Sequence, residues 1–488
     1  MVVGLLVLAV ILGSVAVTLI APIMIALYFD EIQLAILFGA TAAAYAFTSS
    51  ALYLTLRGTE RGLKRIQSFE LLTLSWMLLW ISGSLPLFFA FNLDIGNALF
   101  ETISAISTSN ASLIEGREEL PRSALFWRIQ LQWLGGLLTL LSLVIVLAPA
   151  GVGGLPKRQI ALLESVGFGG GSRVVKACLN VVTAYTTVSV LCATALFISG
   201  VPLFDSLCLA AGAVSTGGFS PISADLNTYE SVGLYPILTI FMFIGATSIL
   251  WQRMFIVRRW HLVLEHRESY FLLAGCFALA IVFGIIAIIS SRSNSQFVDV
   301  MAIAMDALFM AVSLISTTGY QWSNDVQQHI DPVIIIAVVL IGGGTFSTAG
   351  GIKFYRFGRM LVQSINELNR LVFPHSIQRS IYNRANDEIA QLKALWSFLV
   401  VAMLIIWVCT AALAFDGIPF DGSLIASIAS FSSIGSIYDP SAAGGENWLS
   451  YAEMAPLSKI AVGVTMFLGR IEILAFLALF NITYWKTR

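Results

Sequence analysis

Long apolar runs separated by short polar connections dominate this chain. Runs of about 20 residues suffice to cross roughly 30 Å of hydrocarbon as a helix. Ten such runs occur, near 3–28, 34–56, 70–92, 124–150, 178–200, 233–256, 270–290, 331–352, 394–415 and 459–484. Four apolar stretches, about 97–109, 205–216, 306–318 and 421–434, are too short to span. Each follows one long run and precedes the next, which is the pattern of a re-entrant hairpin. They open on Asn97, Asp205, Asp306 and Asp421, side chains able to cap the free N–H groups of a first helical turn. They close on hydroxyl-rich tetrads: Ser107-Thr108-Ser109-Asn110, Val214-Ser215-Thr216-Gly217, Ser316-Thr317-Thr318-Gly319 and Ser432-Ser433-Ile434-Gly435.

The expected fold is therefore an all-α polytopic membrane protein with ten transmembrane helices and four re-entrant half-helices. Two leading helices (1–68) precede four copies of helix, half-helix, loop, helix around a pseudo-fourfold pore, at 69–169, 170–267, 268–391 and 392–488. Composition agrees, since 58% of the 488 residues are hydrophobic and 11% charged, far from soluble usage. The first run, 2–29, is too long for a signal-peptide core and lacks a basic leader, so a retained helix is expected. Cys178, Cys192, Cys208, Cys276 and Cys409 show no metal spacing and read as inert core thiols. The net charge of −1 says little about partners, and no nucleic-acid partner is expected.

Charge placement sets an orientation. With both termini inside, most of the 27 Lys and Arg residues fall in cytoplasmic connections, as the positive-inside rule requires. The opposite loops then hold Asp30, Glu31, Glu115, Glu118, Glu119, Asp225, Glu230, Asp325, Asp331, Asp439, Glu446 and Glu453. Acidic loops either concentrate cations at a mouth or simply keep the loops soluble. The inner segment 353–393 reads either as an amphipathic surface helix or as a docking site for a partner.

Four half-helices aim the negative ends of their peptide dipoles at one place, which favours a cation. A cation sheds water only if carbonyl oxygens replace it, and glycine lets backbone turn carbonyls inward. An enzyme is not expected: His261, His266, His329 and His375 form no metal set, and Gly167-Phe168-Gly169-Gly170-Gly171 is a lone glycine patch. An ion-coupled symporter of broken-helix type remains the alternative, opposed by four parallel repeats.

Phe126-Trp127-Arg128 through Trp133-Leu134-Gly135-Gly136, Gly342-Gly343-Gly344 with Ser347-Thr348-Ala349-Gly350-Gly351-Ile352-Lys353, and Leu468-Gly469-Arg470-Ile471-Glu472 carry a resemblance across the whole chain. It resembles the Trk/Ktr/HKT superfamily of potassium transporters, in the TrkH-like branch that has two extra leading helices. The resemblance implies potassium uptake across a bacterial cytoplasmic membrane, with K+ as transported ion and no organic cofactor. It places the potassium filter at Ser109, Asn110, Thr216, Gly217, Thr318, Gly319, Ile434 and Gly435. It places the gate at Gly343, Gly344, Gly350, Gly351 and Lys353, with Arg470 as a pore-facing positive charge. Besides membrane lipid, it implies a homodimer and a cytosolic nucleotide-binding regulatory subunit of the TrkA type. Asn110 departs from the family's filter glycine, which points to relaxed discrimination between K+ and Na+.

Overall fold

The computed structural model describes residues 2–57, 65–114, 116, 120–147, 174–222, 226–229, 231, 233–258, 260–293, 300–322, 326, 329–372, 385–438, 448–471 and 473–478. Of the twelve acidic residues assigned above to outer loops, eight lie outside these and Asp30, Glu31, Asp331 and Glu453 lie within; Gly167–Gly171 and Glu472 also lie outside. The described chain is helical throughout. Helices α1 (Val2–Thr18) and α2 (Ile20–Tyr28) form one apolar span, and α3 (Ile32–Leu56) returns against it.

A unit of long helix, short helix, loop and second helix then recurs four times. The long helices are α4 (Arg65–Ala90), α7 (Val174–Ile198), α12 (Arg267–Ser293) and α16 (Ala385–Phe415). The short ones are α5 (Ile95–Ile106), α8 (Leu203–Ser215), α13 (Val300–Ile315) and α17 (Phe420–Phe431). The second helices are α6 (Arg122–Leu141), α9 (Leu234–Ala246) with α10 (Ile249–Ile256), α14 (Pro332–Ile341), and α18 (Pro456–Arg470) with α19 (Ile473–Ala478). Each short helix packs between the long and second helices of its own unit. Each second helix also packs on the next unit's short helix: α6 on α8, α9 on α13, α14 on α17, and α18 back on α5. The cycle is closed.

Six helices are long and apolar enough to cross a bilayer among the described residues, or seven if α9 and α10 count as one span bent by 110°. The other expected spans are not single long apolar helices among the described residues, because the second helices are interrupted. The helix α6 passes into a π-helical stretch at Ser142–Leu147. Ser248 caps α10 after the bend, its Oγ accepting from Leu250 N at 3.3 Å. The run 331–352 yields only ten helical residues before Gly342, and α18 ends at Arg470. Breaks of this kind in apolar helices are tolerated where other protein groups satisfy the freed backbone.

The helix starts also depart from the sequence reading. In α5 the cap is Asp94, whose carboxylate accepts from Gly96 N and Asn97 N, while Asn97 Oδ1 receives Lys459 Nζ at 2.9 Å. Pro202 and Pro419 stand at the starts of α8 and α17, leaving Asp205 and Asp421 in the first turn, where an acid still favours the helix dipole. Asp306 lies well inside α13, which starts earlier than expected because the apolar periodicity extends back to Val300. Part of the open inner segment is the amphipathic helix α15 (Phe354–Val372), with Leu361, Ile365 and Leu368 exposed along one face, and the short helix α11 (Trp260–Glu265) follows α10.

Candidate ion filter and the loop beneath it

The four loops after the short helices share one backbone form. Each helix continues to a residue in the left-handed region: Thr108 (φ 57°), Thr216 (φ 54°), Thr317 (φ 56°) and Ser433 (φ 59°). The next residue's N–H then reaches five residues back, Ser109 to Ser104, Gly217 to Gly212, Thr318 to Ser313 and Ile434 to Ala429, at 2.9–3.0 Å. These bonds are the capping pattern that ends a helix on a left-handed residue. They also fix the register, making Asn110, Gly218, Gly319 and Gly435 equivalent.

The second loop is therefore one residue out of step with the sequence reading. Gly218 (φ +77°), not Gly217, matches Asn110 (φ 57°) and Gly319 (φ +76°). Gly217 turns its α-carbon toward the Gln132 side chain, behind the loop. A Gly-Gly doublet admits both registers in sequence, and only the helix end at Ser215 decides between them.

Neighbouring loops touch in cyclic order. Asn110 Nδ2 donates to the Gly218 carbonyl at 2.9 Å. Gly218 lies so close to the Thr318 carbonyl that a β-carbon would overlap it. Ser436 Oγ donates to the Gly319 carbonyl at 3.3 Å, and Gly435 N donates to the Ser109 carbonyl. Gly435 is needed for closeness rather than for torsion, since a β-carbon there would lie 2.7 Å from Ala111 Cβ. Of the expected filter residues, Ser109, Asn110, Thr318, Gly319, Ile434 and Gly435 come together in this ring. Thr216 lies one step below its expected level.

Side chains behind the ring hold it. Gln132 Nε2 donates to Ser215 Oγ at 3.1 Å, and its Oε1 accepts from Phe219 N at 3.2 Å. Tyr320 Oη reaches the carbonyls of Leu209 and Phe219, and Tyr451 Oη that of Gly435. Sequence reading passed over these residues. The detectable signal was a hydroxyl or amide on an otherwise apolar segment.

The glycine-rich segment after α14 lies directly beneath three of the loops. Thr348 Oγ1 lies within donating distance of the carbonyls of Val214 (3.1 Å) and Gly245 (3.0 Å), between which its one proton is shared, and accepts from Thr216 Oγ1 (3.2 Å). Gly350 N donates to Thr317 Oγ1 at 2.7 Å, and its α-carbon abuts the Ser432 carbonyl. Gly344 N donates to Ala246 O, and Thr345 donates through both N and Oγ1 to Glu268 Oε1. Lys353 folds back, Nζ donating to the carbonyls of Ala349 and Ser347. The segment is buried, non-helical backbone held by hydrogen bonds to its surroundings, the condition for such backbone at membrane depth.

Arg470 does not sit mid-helix as the sequence suggested but is the last residue of α18, and it is 7% exposed. Among the described residues none of its three guanidinium nitrogens has a hydrogen-bond partner, so no described helix carbonyl or acid holds it. It lines a cavity together with Thr139, Ser142, Ala349, Gly351 and Lys353. The second helices approach the ends of the short helices through glycine: Gly135 at Ile106, Gly245 at Val214 and Gly469 at Phe431. The residue following that glycine is Gly136 in the first unit, Ala246 in the second and Arg470 in the fourth. Two small residues and one arginine thus take equivalent places in these three units.

A closed ring of loops on buried half-length helices, inside a shell of apolar helices, defines a multi-pass membrane transport protein and not an enzyme. Among the described residues no group of His, Cys, Asp or Glu is arranged to hold a metal ion. The chain belongs to the TrkH family of cation transport proteins, whose family model matches residues 36–486. It is 27% identical over 503 residues to the Trk system potassium uptake protein TrkH of Halomonas elongata, covering 98% of each chain. It is 28% identical over 437 residues to the protein of the same description from Escherichia coli strain K12, covering 88% of each. The crystal structure of the potassium transporter TrkH from Vibrio parahaemolyticus shares the fold, with a TM-score of 0.85 at 24% identity over 99% of this chain and 98% of that one.

Proposed function

We propose that this chain is the pore-forming subunit of a potassium uptake system in a cytoplasmic membrane, passing K+ through the ring of four loops. The cyclic contact of Asn110, Gly218, Thr318, Gly319, Gly435 and Ser109 carries this reading. Backbone carbonyls at 109–110, 216–218, 318–319 and 434–435 are the ion's ligands in place of water. The four units are pore repeats, both termini are cytoplasmic, and ten spans with four re-entrant half-helices complete the topology. The segment 342–353 is the gate and Arg470 a fixed positive charge on the path. A second copy and a cytosolic nucleotide-binding subunit complete the assembly. Rubidium uptake into proteoliposomes holding the purified chain tests the reading: uptake down an imposed gradient is expected, and protein-free rates would sink it.

A variant reading, conduction of both K+ and Na+, is favoured by Asn110. Its amide occupies the Gly218 carbonyl, and its own Oδ1 is buried without a hydrogen-bond partner among the described residues. At this edge the ring therefore presents a hydrogen-bonded Gly218 carbonyl beside a side-chain oxygen that a glycine would not supply. Asn110→Gly releases a carbonyl from a hydrogen bond worth about 1 kcal/mol, so the K+/Na+ permeability ratio rises about fivefold. Reversal potentials in mixed K+ and Na+ measure it, and an unchanged ratio removes Asn110 from selectivity.

A further inference from the structure

The first unit differs from the second and fourth in what stands behind its filter loop. Glu101 of α5 and Arg128 of α6 form an ion pair, Oε1 to Nε 2.5 Å, at 0% and 1% exposure. The register fixed by the left-handed residues and by Gly135, Gly245 and Gly469 gives the equivalent pairs elsewhere. They are Leu209 and Leu238 in the second unit and Ala426 and Val462 in the fourth, both apolar. A buried ion pair is seldom kept for stability alone, because well-packed apolar residues of similar volume serve as well or better. Its placement points to another use.

Both members of the pair reach residues beside the filter. Glu101 Oε2 accepts from Leu113 N at 3.0 Å, and Oε1 accepts from Ser112 Oγ at 3.4 Å, fixing the chain that leaves Asn110. The guanidinium of Arg128 lies over the Phe219 ring, 3.8 Å from its centroid, in the residue that follows Gly218. Such stacking is favourable, and more so when water is excluded. One ion pair thus grips the strands leaving Asn110 and Gly218, the two residues joined by the amide-to-carbonyl bond.

We infer that Glu101 and Arg128 are positioning residues for ion selectivity: together they set the spacing of the Asn110–Gly218 edge of the ring. The inference rests on the filter reading above. Removing one member leaves a buried charge and perturbs folding, so the decisive variant is the double substitution Glu101→Leu with Arg128→Leu. It installs the apolar pair already present in the second unit while deleting the grip on Leu113 and Phe219.

The readouts are the K+/Na+ permeability ratio from reversal potentials, the total rubidium flux, and the thermal unfolding midpoint of the detergent-solubilised protein. The double variant is expected to unfold at or above the wild-type temperature and to conduct, with the ratio moved toward one by about threefold or more. Arg128→Lys, which keeps the charge, is expected to retain a ratio nearer that of the wild type. A ratio unchanged in a folded, conducting double variant overturns the inference, because the pair would then only fill space. Wild-type protein that carries no rubidium at all would instead overturn the filter reading itself.

Discussion

Arg470→Ala raises rubidium flux through reconstituted protein by more than an order of magnitude. With an effective dielectric of about 20, a unit charge roughly 8 Å from a passing cation raises its energy by about 2 kcal/mol. A barrier change of that size is about thirtyfold in rate. The geometry fits such a role, since the guanidinium is buried, lacks a hydrogen-bond partner among the described residues and stands where the first and second units have Gly136 and Ala246. Arg470→Lys keeps the charge and holds flux near the wild-type value. Flux measured per reconstituted protein decides the matter, and a lower flux at normal expression assigns Arg470 to folding instead.

Gly350→Ala has the second large effect, and it acts on the loop rather than on charge. A β-carbon at Gly350 overlaps the Ser432 carbonyl, so the loop must move away from the fourth filter end. Overpacking of this kind costs about 1–3 kcal/mol. That strain works against the bond from Gly350 N to Thr317 Oγ1 and against the bonds of Thr348 to Val214 and Gly245. The expected result is a standing leak about tenfold above wild type, consistent with about 1.4 kcal/mol of lost closure. Thr348→Val, which removes hydrogen bonds without adding bulk, gives a smaller rise of the same sign. Rubidium flux without any regulatory partner reads both, and flux unchanged in both variants means that the loop does not gate.

The coarse architecture was legible because lipid makes hydropathy nearly sufficient: spanning helices must be long, apolar and internally hydrogen-bonded. The short helices were legible as apolar runs of the wrong length, and their ends as hydroxyl-rich tetrads. What could not be read is what depends on a neighbour's backbone. The cap of α5 is Asp94 rather than Asn97 because helix geometry, not residue type alone, decides which side chain faces the free N–H groups. The register of Gly217 and Gly218 follows from a hydrogen bond to Gly212 that a glycine doublet does not announce. The bend at Thr247 is invisible in a run that is apolar on both sides, and is visible only where Ala246 O receives Gly344 N from another unit. Glu101 and Arg128 were in plain view, yet a charge in an apolar segment names no partner until the packing brings one within reach.

The cycle of contacts also sets an order of events in the making of the protein. Its closing links, α18 against α5 and Gly435 N to the Ser109 carbonyl, join segments near opposite ends of the chain. Contacts so distant in sequence form late, after the loop entropy between them has been overcome. While the chain emerges N-terminal end first, the loop around Asn110 is made long before the helix that covers it exists. On the proposed topology that loop is polar backbone in an apolar bilayer, to be sheltered until the last unit is inserted. A chain lacking that unit would present an open-sided ring to lipid, a species suited to recognition by membrane quality control rather than to conduction.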